Sequence, residues 1–375
     1  MSICAAMMVM FSAQGALASS QADEELSPWH AQLYLDVGYV YSNNQPENRV
    51  WRSKSSTSSL DDVELFLGMA DVRKDATVNT RWGFEFGLQA GVDTKGLVTS
   101  APPPADEPLG NADALRHLYR ANFTYLFDAG RGLRLTGGLI NSYIGFESFL
   151  AIDNPNYTRA YGSDTVPYFL VGLEAAWDVS EAVDLNFYLV TGYNYLTSPN
   201  SAPSAGLRVA WKISPRTTLT QNLYYGPDQA DTSIKFWRFL SDTIVAWKID
   251  RWLLAASLGF GSERQAGLLD QPRHDWIAGA LWARWLFAER WSVALRPEFY
   301  NDRDGRITGA SQFITAYTGT VKYQFSRRYN RLVGVVELRY DRSTGDQGGF
   351  YSGSDNQLVP TQSLALLGVM WSFDY

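Results

Sequence analysis

Apolar side chains recur at every second position over most of the chain, whereas a helical period near 3.6 is hard to find. Trp82, Phe84, Phe86 and Leu88 alternate with Gly83, Glu85, Gly87 and Gln89. Trp291, Val293, Leu295 and Phe299 stand against Ser292, Arg296 and Glu298. At the C-terminus Leu367, Val369, Trp371, Phe373 and Tyr375 again take alternate places. Successive side chains of a strand point to opposite faces, so each stretch predicts a strand with one greasy face and one polar face. Short turns at 128–132, 178–182, 214–217, 248–251, 288–290 and 326–330, with another near 72–79, punctuate the pattern. Between them lie longer segments rich in Gly, Pro, Ser, Asn and Asp at 43–62, 94–114, 145–165, 197–204, 226–235, 262–274, 301–311 and 342–360. Seven turns and eight loops make fifteen connections and predict sixteen strands, with fourteen and eighteen as alternatives. An even count with both termini on one side is what a closed antiparallel barrel needs.

A soluble all-β sandwich also alternates. The aromatic residues decide against it. They form 14% of the chain, and Phe127, Trp177, Trp211, Trp247, Trp252, Phe287, Trp291, Phe325 and Tyr375 all fall within a few residues of the short turns. That distribution stacks them at one level, as in an interfacial girdle. The expected fold class is therefore all-β, a transmembrane antiparallel barrel with short periplasmic turns and long extracellular loops in a bacterial outer membrane. After the first residues no apolar run is long enough for a spanning helix. A net charge of −7 with no basic stripe argues against nucleic acid as a partner. The apolar run Ile3–Phe11 followed by Ala16-Leu17-Ala18 predicts a signal peptide over 1–18, then a short extension over 19–28 and the barrel over 29–375. Cys4, the only cysteine, falls in that leader, so no disulfide is expected.

Charged residues on the polar faces belong in water, because a charge facing lipid costs about 2–4 kcal/mol at the midplane. This assigns Arg81, Glu85, Arg120, Arg134, Glu174, Arg208, Arg238, Asp242, Arg296, Glu298, Glu337 and Arg339 to the lumen. Arginine outnumbers lysine by 25 to 7, which suits cations held in fixed geometry beside carboxylates. Leu364, Leu366 and Met370 sit on the same inward face of the last strand although they are apolar. Either the lumen is covered there or the register shifts. His30, His117 and His274 stand in no nucleophile or metal spacing, and Asn301–Gly305 lacks the acidic residue a calcium loop requires. No catalytic residue, metal or cofactor is expected.

The third long loop carries the most distinctive run. It reads Gly145-Phe146-Glu147-Ser148-Phe149, then Asp153-Asn154-Pro155-Asn156-Tyr157-Thr158-Arg159-Ala160-Tyr161, with Pro167 opening the next strand. Later come Arg296-Pro297-Glu298, Asn301-Asp302-Arg303-Asp304-Gly305 and Glu337-Leu338-Arg339-Tyr340-Asp341. In these segments the chain resembles the second putative beta-barrel porin family, the outer-membrane-L-like porins. The resemblance implies a channel for passive diffusion of small hydrophilic solutes. Folded into such a lumen, the third loop would narrow it, and Glu147, Asp153, Arg159 and Asp164 would set the field a solute crosses. The competing expectation leaves that loop outside as ordinary turns. A rival function is a surface-interaction barrel whose long loops, notably 94–114 and 342–360, bind a partner while the lumen is blocked. Expected partners are outer-membrane lipid, small hydrophilic solutes and the barrel-assembly machinery, which would read the strand ending at Tyr375. The apolar outer surface also admits a homo-oligomer.

Overall fold

The computed structural model describes residues 27–96, 116–193, 195, 200, 202–229, 232–267, 270–327 and 329–375. The segments expected as a leader over 1–18 and an extension over 19–28, the latter but for its last two residues, and most of the loop expected over 94–114 lie outside the described residues.

Sixteen antiparallel strands close into one barrel. They are β1 (Trp29–Ser42), β2 (Val63–Lys74), β3 (Trp82–Ala90), β4 (Leu118–Phe127), β5 (Leu133–Asn141), β6 (Phe169–Asp178), β7 (Val183–Val190), β8 (Ser204–Ser214), β9 (Thr217–Pro227), β10 (Trp237–Ile249), β11 (Trp252–Arg264), β12 (Arg273–Trp285), β13 (Trp291–Asp302), β14 (Gln312–Arg327), β15 (Asn330–Thr344) and β18 (Thr361–Asp374). The last long loop contains a separate hairpin of β16 (Phe350–Ser352) and β17 (Gln357–Val359), which alternation alone did not announce. β1 pairs with β18 to close the ring, and Ala31 exchanges backbone hydrogen bonds of 3.0 and 2.9 Å with Tyr375. Closure leaves no edge unpaired among the sixteen barrel strands, the condition for a sheet to span a membrane.

Element ends differ from expectation where local hydrogen bonds decide them. The turn expected near 72–79 lies at 75–81, because Val72–Lys74 remain in the β1–β2 ladder. Thr77 and Thr80 then close the turn, with Thr77 N–H on the Thr80 carbonyl at 2.8 Å and Thr80 N–H on the Thr77 hydroxyl at 3.0 Å. Pro167 does not open β6, which starts at Phe169; a proline has no N–H to give a ladder.

The outside is as greasy as the alternation requires. Leu295, Tyr317, Leu338 and Leu367 are exposed, as are all nine aromatics placed near the short turns. Part of that ring stacks in series from Trp252 through Trp285, Phe287, Trp291 and Tyr323 to Phe325, with centroid separations of 4.6 to 6.3 Å. The core lies inside the ring of strands. Tyr34, Val40, Phe66, Leu364, Leu366 and Met370 of the wall form one buried cluster with Trp51, Leu60, Leu150, Ile152 and Tyr157 from two loops. The apolar inward face of β18 is thus covered by loop residues, and its register with β1 and β15 runs unbroken.

Candidate functional site

The segment 142–168 between β5 and β6, loop 3 below, turns into the barrel with one 3-10 turn at Ala151–Asp153 and one helical turn at Tyr161–Asp164. A loop in that position loses water and must find partners for its backbone. Strand carboxylates supply them. Glu337 on β15 accepts the N–H groups of Tyr157 at 2.7 Å and Thr158 at 3.0 Å, and the Thr320 hydroxyl at 2.6 Å. Glu298 on β13 accepts Tyr161 N–H at 2.6 Å, and Asp242 on β10 accepts Gly145 N–H at 2.9 Å. The carbonyls are served by Lys322 of β14, whose ammonium donates to Ala151 at 2.9 Å and Asn154 at 2.7 Å.

Tyr157 docks on the seam where the barrel closes. Gly38 of β1 and Gly368 of β18 are directly paired. A Cβ on Gly38 would lie 3.4 Å from the Tyr157 hydroxyl and 3.2 Å from Phe66, and one on Gly368 would lie 3.4 Å from the Tyr157 ring. Two absent side chains therefore make the space for one aromatic ring. Its hydroxyl donates to Asp36 at 2.6 Å.

The segment 43–62 between β1 and β2, loop 1 below, also enters the barrel. Its backbone takes the left-handed conformation at every fourth residue, Gln45, Arg49, Ser53, Thr57 and Asp61, none of them glycine. Each costs roughly 1–2 kcal/mol for an L-residue, so the ribbon needs its docked contacts. Trp51 is 1% exposed, and its indole N–H donates to the Tyr161 hydroxyl at 3.4 Å. The Lys54 ammonium stands 3.1 Å from Asp164, which also accepts Ser55 N–H at 2.6 Å. Burial alone would raise the Asp164 carboxyl, but Lys54 and Arg159 outweigh it and hold the group below its ordinary value. Asp93, just after β3, accepts Thr57 N–H at 2.7 Å; burial pushes its carboxyl up to about 7.

The four loop-3 charges read from the sequence are all inside, and each is committed to fixed partners. Glu147 meets Arg296 at 2.8 Å, the Trp282 indole at 3.1 Å and Ala160 N–H at 2.7 Å. Asp153 pairs with Arg331 at 2.8 Å. Arg159 is 5% exposed, donates to the carbonyls of Ser148 and Phe149, and lies over the Tyr168 ring at 4.5 Å. With Asp164 held as above, none of the four presents a bare charge. Their reach to β13, β15 and loop 1 spans many residues of sequence, which is why alternation could place the loop but not its pairs.

The twelve wall charges all fall on the inward parity, in two groups. Arg120, Arg238, Asp242, Arg296, Glu298, Glu337 and Arg339 are buried. Arg81, Glu85, Arg134, Glu174 and Arg208 remain partly exposed. Arg81 sits at the short-turn rim, 3.3 Å from Asp128, and Arg134 is 3.2 Å from Asp178. Glu85 accepts from Asn122 at 3.0 Å, Glu174 from Asn186 and Tyr188 at 2.8 Å each, and Arg208 donates to Asn186 at 3.4 Å. Sequence reasoning missed Asp36, Trp51, Lys54 and Lys322. Asp36 and Lys322 carry an inward parity that could have been read; Trp51 and Lys54 lie in a loop without period. Among the described residues no cluster of His, Asp and Glu is placed to hold a metal ion.

A closed sixteen-strand barrel with an aromatic outer surface, a charged interior and a loop folded across it defines an outer-membrane barrel of the porin class. The chain belongs to the family described as putative beta-barrel porin-2, OmpL-like, which matches residues 28–373. No curated protein sequence matches it. Solved structures of similar fold include the anion-selective porin from Comamonas acidovorans, at 12% identity and TM-score 0.55, covering 92% of this chain and 98% of that one. The trimer form of OmpT from Vibrio cholerae matches at 11% identity and TM-score 0.53, with 92% and 98% covered. OprD from Pseudomonas aeruginosa matches at 11% identity and TM-score 0.50, with 93% and 94% covered.

Proposed function

We propose that this outer-membrane porin passes small hydrophilic solutes by passive diffusion, along a path between loop 3 and the wall formed by β3 to β8. One observation carries the reading. The inward charges Glu85, Arg134, Glu174 and Arg208 on β3 to β8 stay partly exposed, while on the wall that loop 3 covers Asp242 of β10, Arg296 and Glu298 of β13, Lys322 of β14, and Glu337 and Arg339 of β15 are buried. A water-filled passage keeps its charges half hydrated; a packed plug does not. In this reading loop 3 is the constriction, and Glu147, Asp153, Arg159 and Asp164 fix its shape rather than face the solute. Both signs on the opposite wall then bias which ions pass. The reading is of a channel and assigns no catalytic step. Self-association through the apolar outer surface belongs to the same proposal.

Planar-bilayer recording of the purified protein tests it. Discrete conductance steps are expected, and Arg208→Glu should move the reversal potential in a salt gradient toward cations. The same exchange at Arg303, exposed in the loop after β13, should change little. A wild-type barrel without conductance would overturn the proposal in favour of a blocked, surface-binding barrel.

A further inference from the structure

We infer that loop 1 is the second half of the constriction, and that Lys54 is the positioning residue by which it sets the place of loop 3. The inference rests on the reading of the lumen as a solute path. Lys54 enters from loop 1, yet its side chain has no exposure, and its ammonium joins Asp164 at 3.1 Å to the Arg159 carbonyl at 2.8 Å. Donors to the Asp164 carboxylate come from loop 1, through Lys54, Ser55 and Ser56, and from Tyr168 at the end of loop 3. The described contacts of Asp164 include none from a strand. The Asp164 carboxylate is therefore held by another loop, while the wall grips the start of the same turn through Glu298 and Tyr161 N–H.

Loop 1 is itself fixed independently. Thr57 is held by Asp93, Arg52 donates to the carbonyls of Gly349 at 2.9 Å and Gln347 at 3.0 Å, and Gln312 donates to Ser53 at 3.0 Å. Above the ion pair, the rings of Trp51 and Tyr161 lie between two cations. Lys54 is 5.5 and 5.3 Å from their centroids and Arg339 of β15 is 5.1 and 4.9 Å away. Wall, loop 1 and loop 3 thus share one buried stack. The repeated left-handed residues point the same way: a ribbon in that conformation is unfavourable when free and persists where docking over-determines it. Removing one member of a buried ion pair strands the other without water, so a neutral residue at position 54 should expel Asp164 and loosen loop 3.

The test compares Lys54→Met, Lys54→Arg and the pair Lys54→Met with Asp164→Asn in the full chain. Lys54→Met should raise unitary conductance and add open-channel noise. Lys54→Arg should stay near wild type, and Asp164→Asn added to Lys54→Met should pull conductance back, because it removes the stranded charge. Cys4 is the only cysteine, so Ser163→Cys in a Cys4→Ser background offers one thiol, at a residue now 8% exposed. Its reaction with a charged maleimide should accelerate at least roughly tenfold with Lys54→Met. Heat-shifted migration on a gel verifies that each barrel is closed; if Lys54→Met does not fold, Ser56→Ala removes a single hydroxyl bond to Asp164 and should shift both readouts the same way by less. Unchanged conductance and unchanged labelling would overturn the inference. Accelerated labelling in a protein whose wild type does not conduct would sink the porin reading and leave the latch standing.

Discussion

Replacing Glu337 by glutamine should release loop 3 at its centre while leaving the barrel closed. The carboxylate offers two oxygens, one to Thr158 N–H at 3.0 Å and the Thr158 hydroxyl, the other to Tyr157 N–H at 2.7 Å and the Thr320 hydroxyl at 2.6 Å. A glutamine keeps one acceptor and turns the other into an NH2 group facing a backbone N–H. The hydroxyls can reverse and accept; the amide cannot. The loss is one charge-assisted hydrogen bond, about 1.5–3 kcal/mol, plus part of the cost of a buried unpaired donor, for a total of about 2–4 kcal/mol on docking of the loop. At about 1.4 kcal/mol per factor of ten, that is roughly 30-fold to 1,000-fold in the docking equilibrium. Hydrogen exchange read by mass spectrometry on the peptide spanning 150–160 should lose protection by that factor. The β13 peptide around Leu295 should be unchanged, since its ladder to β14 does not involve Glu337. Protection of 150–160 within about threefold of wild type would refute the reasoning, because even the lower bound exceeds that margin.

Two further outcomes follow from the geometry. Asp93 has a folded-state value of about 7, above its unfolded value, so protonation favours the docked state: this stabilisation is complete below about pH 4 and is lost as pH rises through 7. Corrected for intrinsic exchange, the Thr57 segment should be about tenfold better protected at pH 6 than at pH 8, and Asp93→Asn should abolish the difference; a pH dependence that survives the substitution contradicts the assignment. Deleting Phe373–Tyr375 removes the pairing of Phe373 with Leu33 and both Ala31–Tyr375 bonds, together with the aromatic end that the sequence leads us to expect the assembly machinery to read. The truncated chain should be missing from the outer membrane, and normal membrane levels by immunoblot would show that the tail is dispensable.

What the sequence determined by itself is what depends on neighbours in the chain. Side chains two residues apart share a face, so the alternation through Trp82–Leu88, Trp291–Phe299 and Leu367–Tyr375 reported the strands, their lipid face and the inward set without knowledge of partners. The count of turns and loops then favoured sixteen strands over fourteen or eighteen, and the aromatics beside the short turns marked that rim as carrying a girdle. The even parity of Leu364, Leu366 and Met370 signalled that either the lumen is covered at the seam or the register shifts there, and the unbroken register leaves the cover. Tertiary structure decided what covers it. Tyr157 reaches Asp36 across 121 residues and Glu337 across 180, and Lys54 reaches Asp164 across 110. No local period encodes such meetings, because they depend on where the closed ring brings distant strands. The notch at Gly38 and Gly368 is the clearest instance: either glycine alone is an ordinary gap in a strand, and only ring closure pairs them into a seat for an aromatic ring. For the same reason the loop-3 charges were legible as residues but not as fixings. A charge declares in the sequence that it must be solvated or paired, and only the folded chain determines which of the two it becomes.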